Sequence, residues 1–189
     1  MDPSVLFSRS EPWTVDDWQE LDLPDDMHWR QVEIDDGALV VSPPAAWQHD
    51  HIATQVAHLL LLADRNSDLG VVGPAAAALL RTRLRVPDVV VHRRTPEALD
   101  SVRLPVGDLV LAVEVESPSS RRRDRLQKPW EYAAAGIRHY WRVEPDVPAV
   151  TAYRLVDGTY VESGRAEGAE ELRLTEPFPV VVVPAGLLP

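Results

Sequence analysis

The run Leu109-Val-Leu-Ala-Val-Glu-Val115 is apolar at every position but one. A segment of that kind reads as a strand buried on both faces, and so as the centre of a sheet. The exception, Glu114, would cost several kcal/mol as an uncompensated buried charge. A position near the strand end with a cation beside it removes much of that cost. The pattern therefore predicts a central strand carrying a functional acid.

A candidate cation follows in the sequence. The chain has 18 arginines and one lysine, Lys128, in Asp124-Arg-Leu-Gln-Lys128. It lies downstream of Pro87-Asp88 and of Glu114-Val-Glu116. Two carboxylates from neighbouring strands can hold a hard divalent cation, and an ammonium beside them can stabilise charge developing on a phosphate or orient a water. These residue types are those that metal-dependent phosphodiester cleavage requires. The competing reading is an arginine-for-lysine bias that leaves Lys128 as a solvated surface residue.

Length and charge narrow the classes. At 189 residues the chain is about one domain. It has no cysteine, so thiolate chemistry and disulfides are excluded, and any metal must use oxygen or imidazole. There is no leader-like basic and apolar start and no membrane-length apolar run, which predicts a cytoplasmic protein. The net charge of −11 argues against a polyanionic partner. Its distribution argues the other way, because residues 81–142 hold 13 basic and 8 acidic side chains while the rest holds 6 and 22. Arg121, Arg122, Arg123 and Arg125 are the candidates for a phosphate backbone. Arg81, Arg83 and Arg85 alternate as the wet face of an antiparallel strand does, and that reading is preferred for them.

A coarse pass gives a mixed α/β (α+β) domain. Residues 1–28 read as an acidic arm packed on the body, with Thr14-Val-Asp-Asp17 capping a short helix through Trp18, and residues 29–189 read as a single domain. Trp29 to Ile34 and Ala38 to Val41 form a hairpin around Asp35-Asp36-Gly37, a three-residue turn signal. Ile52, Val56, Leu59 and Leu60 place an amphipathic helix over Trp47 to Ala63. Extended segments follow near 69–73, 79–86 and 88–92. After Leu109–Val115, Ser117-Pro-Ser-Ser120 breaks the chain, and a helix begins near Arg121 that is interrupted or restarted at Pro129. On a continuous helix Asp124, Lys128 and Tyr132 would share one face, so that Asp124 could orient the ammonium. Strands near 138–144 and 149–155, a hairpin at Asp157-Gly158, and runs near 171–174 and 179–183 complete the chain.

Several residues invite sharper readings. Glu116, two positions after Glu114, is assigned to pairing with a nearby arginine in preference to metal ligation. His49 and His51, two apart on a helix, diverge and make zinc improbable. Trp130, Tyr132, Tyr140 and Trp141 are assigned to packing rather than base stacking.

In order, Glu33-Ile-Asp-Asp-Gly37, Pro43-Pro44 with His49-x-x-Ile52, Pro87-Asp88-Val-Val, Val113-Glu-Val-Glu-Ser-Pro118, Asp124-x3-Lys128-x3-Tyr132-x3-Gly136 and His139-Tyr-Trp141 resemble the Uma-two family. That family comprises proteins related to the PD-(D/E)XK restriction endonucleases, and the resemblance spans about residues 29–160. It implies a restriction-endonuclease-like core, a mixed central β-sheet flanked by helices, with β-hairpins added. Asp88 and Glu114 would match its metal-binding carboxylates, and Glu33 its extra acid, placed third at the metal. Lys128 would be its relocated lysine, because Glu116 stands where a strand lysine is usual. His49 matches its histidine, as a substrate contact or behind the ligands, the competing reading being a helix-start histidine that makes an ordinary hydrogen bond. The resemblance implies magnesium or manganese on Asp88, Glu114 and the Val115 carbonyl, with DNA as the expected substrate and a homodimer as the expected form. Two other classes stay open: a catalytically silent binding or assembly module on the same fold, and a metal-dependent hydrolase of smaller phosphoesters. No base-reading motif decides DNA against RNA.

Overall fold

The computed structural model describes residues 10–23, 28–29, 32–64 and 68–189. Within them, α1 (Val15–Gln19) precedes the hairpin β1 (Val32–Asp35) and β2 (Ala38–Val41), then α2 (Trp47–Ala63) and β3 (Leu69–Val72). Next come β4 (Ala77–Leu80), β5 (Arg83–Arg85), β6 (Val89–Arg93), α3 (Pro96–Asp100) and β7 (Leu109–Val115). A π-helical stretch, Arg123–Gln127, runs directly into α4 (Lys128–Ala134). The strands β8 (His139–Glu144), β9 (Ala149–Val156), β10 (Thr159–Glu167), β11 (Leu172–Leu174) and β12 (Val180–Val182) follow.

All seven side chains of β7 are buried, and the strand lies inside a six-stranded sheet of order β10-β9-β8-β7-β6-β3. It runs antiparallel to β6 and parallel to β8, so the sheet is mixed. The parallel pair needs a crossover, which the π-stretch and α4 supply. On one face α2 lays Ile52, Val56 and Leu60, all buried, against β6 and β7. Each contributes up to about 1.5–3 kcal/mol of burial, and Leu60→Ala would cost about 2–5 kcal/mol. On the other face Tyr132 and Ile137 join Val90, Ala112 and Tyr140.

A second, four-stranded antiparallel sheet of order β2-β1-β5-β4 carries the N-terminal segment. Thr14 caps α1 through a reciprocal box with Asp17, and this turns Val15 and Trp18 onto Val32, Ile34 and Leu84. The Trp18 indole N–H donates to the Val32 carbonyl at 2.8 Å. Residues 1–9 and 24–27 of the acidic arm, and residues 30–31 of the expected first strand, lie outside the described residues.

Several sequence expectations change. The hairpin turn has two residues, Asp36 and Gly37, both at positive φ (47° and 82°), with Asp35 opposite Ala38. That combination is the type I′ geometry that matches strand twist. The segment 79–86 is not one strand but the β4–β5 hairpin turning at Arg81-Thr82. Arg85 is therefore not on a wet face: it is 2% exposed and held by acids. Trp130 is 65% exposed and fills no core, lying instead with Arg83 near its ring at 5.9 Å. The helix at Pro129 is neither cut nor restarted. In α geometry the proline ring would meet the carbonyl four residues back, at Arg125. The preceding turn opens into a π-turn instead, with the Lys128 N–H bonded to the Arg123 carbonyl.

Candidate active site

Glu114 and Lys128 come from β7 and the first residue of α4, and meet at 2.8 Å between Oε2 and Nζ. The other oxygen of Glu114 accepts from the Tyr132 hydroxyl at 2.5 Å. Lys128 Nζ also lies 3.3 Å from Asp124 Oδ1 and 3.8 Å from Glu33 Oε1, so three carboxylates surround one ammonium. Glu33 is placed by β1 and accepts from the Val86 N–H at 3.0 Å. All four charged groups are buried. Burial pushes Glu114 up to about 8 against the pull of Lys128. Burial also raises Asp124. For Lys128, burial works against the charge, but Glu114, Glu33 and Asp124 outweigh it and hold the amine well above its usual range.

Asp88 reaches the same place from the start of β6. Its backbone N–H donates to the Val113 carbonyl at 3.1 Å, and its Oδ2 accepts from the Val115 N–H at 2.7 Å. The carboxylate is thus pinned beside the peptide that follows Glu114. His49, near the N-terminus of α2, bonds the Val115 carbonyl through Nε2 at 2.9 Å, with Asp88 Oδ2 3.4 Å away. Burial opposes its charge, yet Asp88 and the Val115 carbonyl win and raise it from 6.5 to about 9. Because a carbonyl only accepts, Nε2 carries the proton of that bond. Glu33, His49, Asp88, Glu114, Arg123 and Lys128 line one cleft of about 340 Å³.

The remaining candidates go elsewhere. Glu116 accepts from Arg125 at 2.6 and 2.9 Å and lies 3.2 and 3.4 Å from Arg142 and Arg121. Arg125 also bonds Glu144 at 2.6 Å, and Arg121 bonds Asp146. Two of the four clustered arginines are therefore engaged with acids. Arg122 is exposed and Arg123 half-buried at the cleft, and neither pairs with an acid among the described residues. Two contributors escape a reading of the sequence. The Tyr132 ring packs as expected, but its hydroxyl also aims Glu114. Glu131 holds α4 to the second sheet through Arg85, a link that no local pattern announces.

A hard-oxygen set, the carboxylates of Asp88 and Glu114 and the Val115 carbonyl, faces the cleft with acids in excess of cations. Among the described residues no group of three His, Asp or Glu side chains is arranged to hold a metal ion by itself. Water would have to complete any shell, as is usual for magnesium. The donors are of the hard-oxygen kind that such an ion takes, with Lys128 and the Tyr132 hydroxyl already on the two oxygens of Glu114.

Comparison with known proteins agrees with this architecture. A crystal structure described as a putative nuclease belonging to DUF820, from Anabaena variabilis, is similar in fold with a TM-score of 0.63. At 16% identity, the similarity covers 88% of this chain and 90% of that one. A search of curated proteins gave no match. Among the described residues no helix is long and apolar enough to cross a membrane. The family model described as "Uma2: Putative restriction endonuclease" matches residues 16–186, most of the chain, and the protein belongs to that family.

Proposed function

We propose that this chain is a divalent-metal-dependent endonuclease that hydrolyses phosphodiester bonds in DNA. The observation that carries this reading is the 2.8 Å contact of the only lysine with Glu114, inside the cleft that also holds Asp88. Asp88, Glu114 and the Val115 carbonyl would hold magnesium or manganese, which when bound lowers the pKa of a water and polarises a phosphate.

The chain's own residues do the rest. The Val115 amide fixes the direction of Asp88, and Tyr132 fixes that of Glu114. Lys128 keeps its positive charge among three acids and offers it to a phosphate in the cleft, where low dielectric strengthens the interaction. Glu33 adds a third acid at Lys128. His49 adds a second positive charge at neutral pH beside Asp88. Arg123, which lines the cleft, and its exposed neighbour Arg122 would meet the DNA backbone.

The test is cleavage of supercoiled plasmid and of single-stranded DNA with magnesium or manganese, comparing the parent with Asp88→Ala and Lys128→Ala. Cleavage lost in both variants is the expected result. Loss with Asp88→Ala alone removes Lys128 from the mechanism. No cleavage by the parent, with no metal-dependent rise in melting temperature, sinks the nuclease reading in favour of a silent binding module.

A further inference from the structure

The π-stretch leaves one backbone acceptor without a helical donor. In an unbroken α-helix the Asp124 carbonyl would accept from the Lys128 N–H, but that N–H bonds the Arg123 carbonyl. The next residue, Pro129, has no N–H to give. The donor comes from the sheet: the Tyr140 hydroxyl, on β8, donates to the Asp124 carbonyl at 2.7 Å in the buried core. The side chain of the same Asp124 stands 3.3 Å from Lys128 Nζ. The Tyr140 ring lies 5.8 Å from that of Tyr132, whose hydroxyl holds Glu114. All four tyrosines of the chain belong to this one cluster.

The π-turn decides where Lys128 points. Each helical residue advances about 100° around the axis, so one residue more or less in this turn would swing Lys128 by about that angle relative to the segment before it. A carbonyl left bare in the core is costly, which gives the chain a reason to change that turn whenever the tyrosine hydroxyl is missing.

We propose that Tyr140 is a positioning residue: by holding the Asp124 carbonyl it fixes the π-turn, and through it the place of Lys128 against Glu114. Its consequence for catalysis rests on the nuclease reading, whereas the positioning does not.

Lys128 is the only lysine, so reductive methylation with ¹³C-formaldehyde yields one side-chain amine signal, resolved by NMR from that of the terminal amine. In the parent this buried, ion-paired amine is methylated slowly. Tyr140→Phe keeps the ring and removes the hydroxyl, and Lys128 is then methylated about tenfold faster, while plasmid cleavage loses kcat with little change in KM. Adding Pro129→Ala supplies an N–H five residues beyond Asp124. The methylation rate in the double variant returns toward that of the parent. Tyr153→Phe, in the same cluster, leaves the rate unchanged.

A Tyr140→Phe protein that melts lower but methylates at the parental rate would overturn the proposal, since that is what a merely structural hydroxyl predicts. Failure of Pro129→Ala to restore slow methylation would overturn it too. Absence of cleavage by the parent, with no metal-dependent rise in its melting temperature, defeats the nuclease reading, and the methylation rates then decide the role of Tyr140 without it.

Discussion

Arg85 donates to both carboxylate oxygens of Glu131, from Nε and Nη2 at 2.7 Å each, and both residues are buried. The pair joins the second sheet to α4. Asp35 and Gln127 extend it, with Arg85 Nη2 2.7 Å and Gln127 Nε2 3.0 Å from Asp35 Oδ1. Lys128 follows Gln127 directly, so this seam and the acid cluster grip the same turn from two sides.

Removing Glu131 breaks the bidentate half of a buried ion pair and leaves Arg85 with Asp35, Glu33 and the Ile34 carbonyl alone. Glu131→Ala is therefore expected to destabilise the fold by about 3–5 kcal/mol in chemical denaturation. Arg81→Ala, in the exposed β4–β5 turn, should fall within about 0.5 kcal/mol. Equal small losses for the two would mean that the seam does not hold α4.

His49 gives a pH signature in metal-free protein. Its pKa is about 9 in the folded chain against 6.5 for an unperturbed histidine, so between those values the folded chain binds more protons than the unfolded one. Its contribution is complete below about pH 6.5 and is lost as pH rises through about 9. His49→Gln should flatten that part of a stability–pH profile measured in EDTA. An unaltered slope there would assign the decline to other groups.

Ligand-linked stability separates the two strand acids. Manganese at a hundred times its dissociation constant should stabilise the parent by about 2.7 kcal/mol. Asp88→Asn and Glu114→Gln should abolish the shift. Glu116→Gln, which disturbs only the arginines around Glu116, should lower baseline stability and keep the shift. Loss of the shift in Glu116→Gln would make that acid a ligand.

How much of this is legible in the sequence depends on whether the determinant is local. Leu109–Val115 reads as the central strand because burial on both faces leaves an unbroken apolar run. The extent of α2 follows from the spacing of Ile52, Val56 and Leu60. The four-residue spacing of Asp124, Lys128 and Tyr132 puts them on one side if the helix is continuous, but nothing in it announces the π-turn between Asp124 and Lys128. Arg85 misleads because its partners Asp35 and Glu131 lie 50 and 46 residues away, and an alternating arginine looks the same whether it meets water or acids. The β4–β5 turn is hidden because Arg81-Thr82 has no Gly, Pro, Asn or Asp to mark it. The role of the Tyr132 hydroxyl is hidden because a core ring accounts for the residue completely until Glu114, 18 positions away, is brought to it.

The distribution of charge also refines the expected DNA contact. Arg121 and Arg125 commit their guanidinium groups to Glu116, Glu144 and Asp146, so a phosphate would have to displace an acid already in place. Arg122 and Arg123 face no such competitor among the described residues, and Arg123 lines the cleft. Each phosphate contact releases condensed counterions and adds about 0.9 to the slope of log affinity against log salt on duplex DNA. Arg122→Ala and Arg123→Ala should each weaken DNA binding and reduce that slope by about one, alike for unrelated sequences. Arg125→Ala should leave the slope nearly unchanged and lower stability instead, because it uncovers Glu116. Titrations of a labelled duplex across a salt series, run on the Asp88→Ala background to prevent cleavage, measure all three. A slope that falls only for Arg125→Ala would show that DNA displaces Glu116 and Glu144, and would move the phosphate track from the cleft rim to the end of β8.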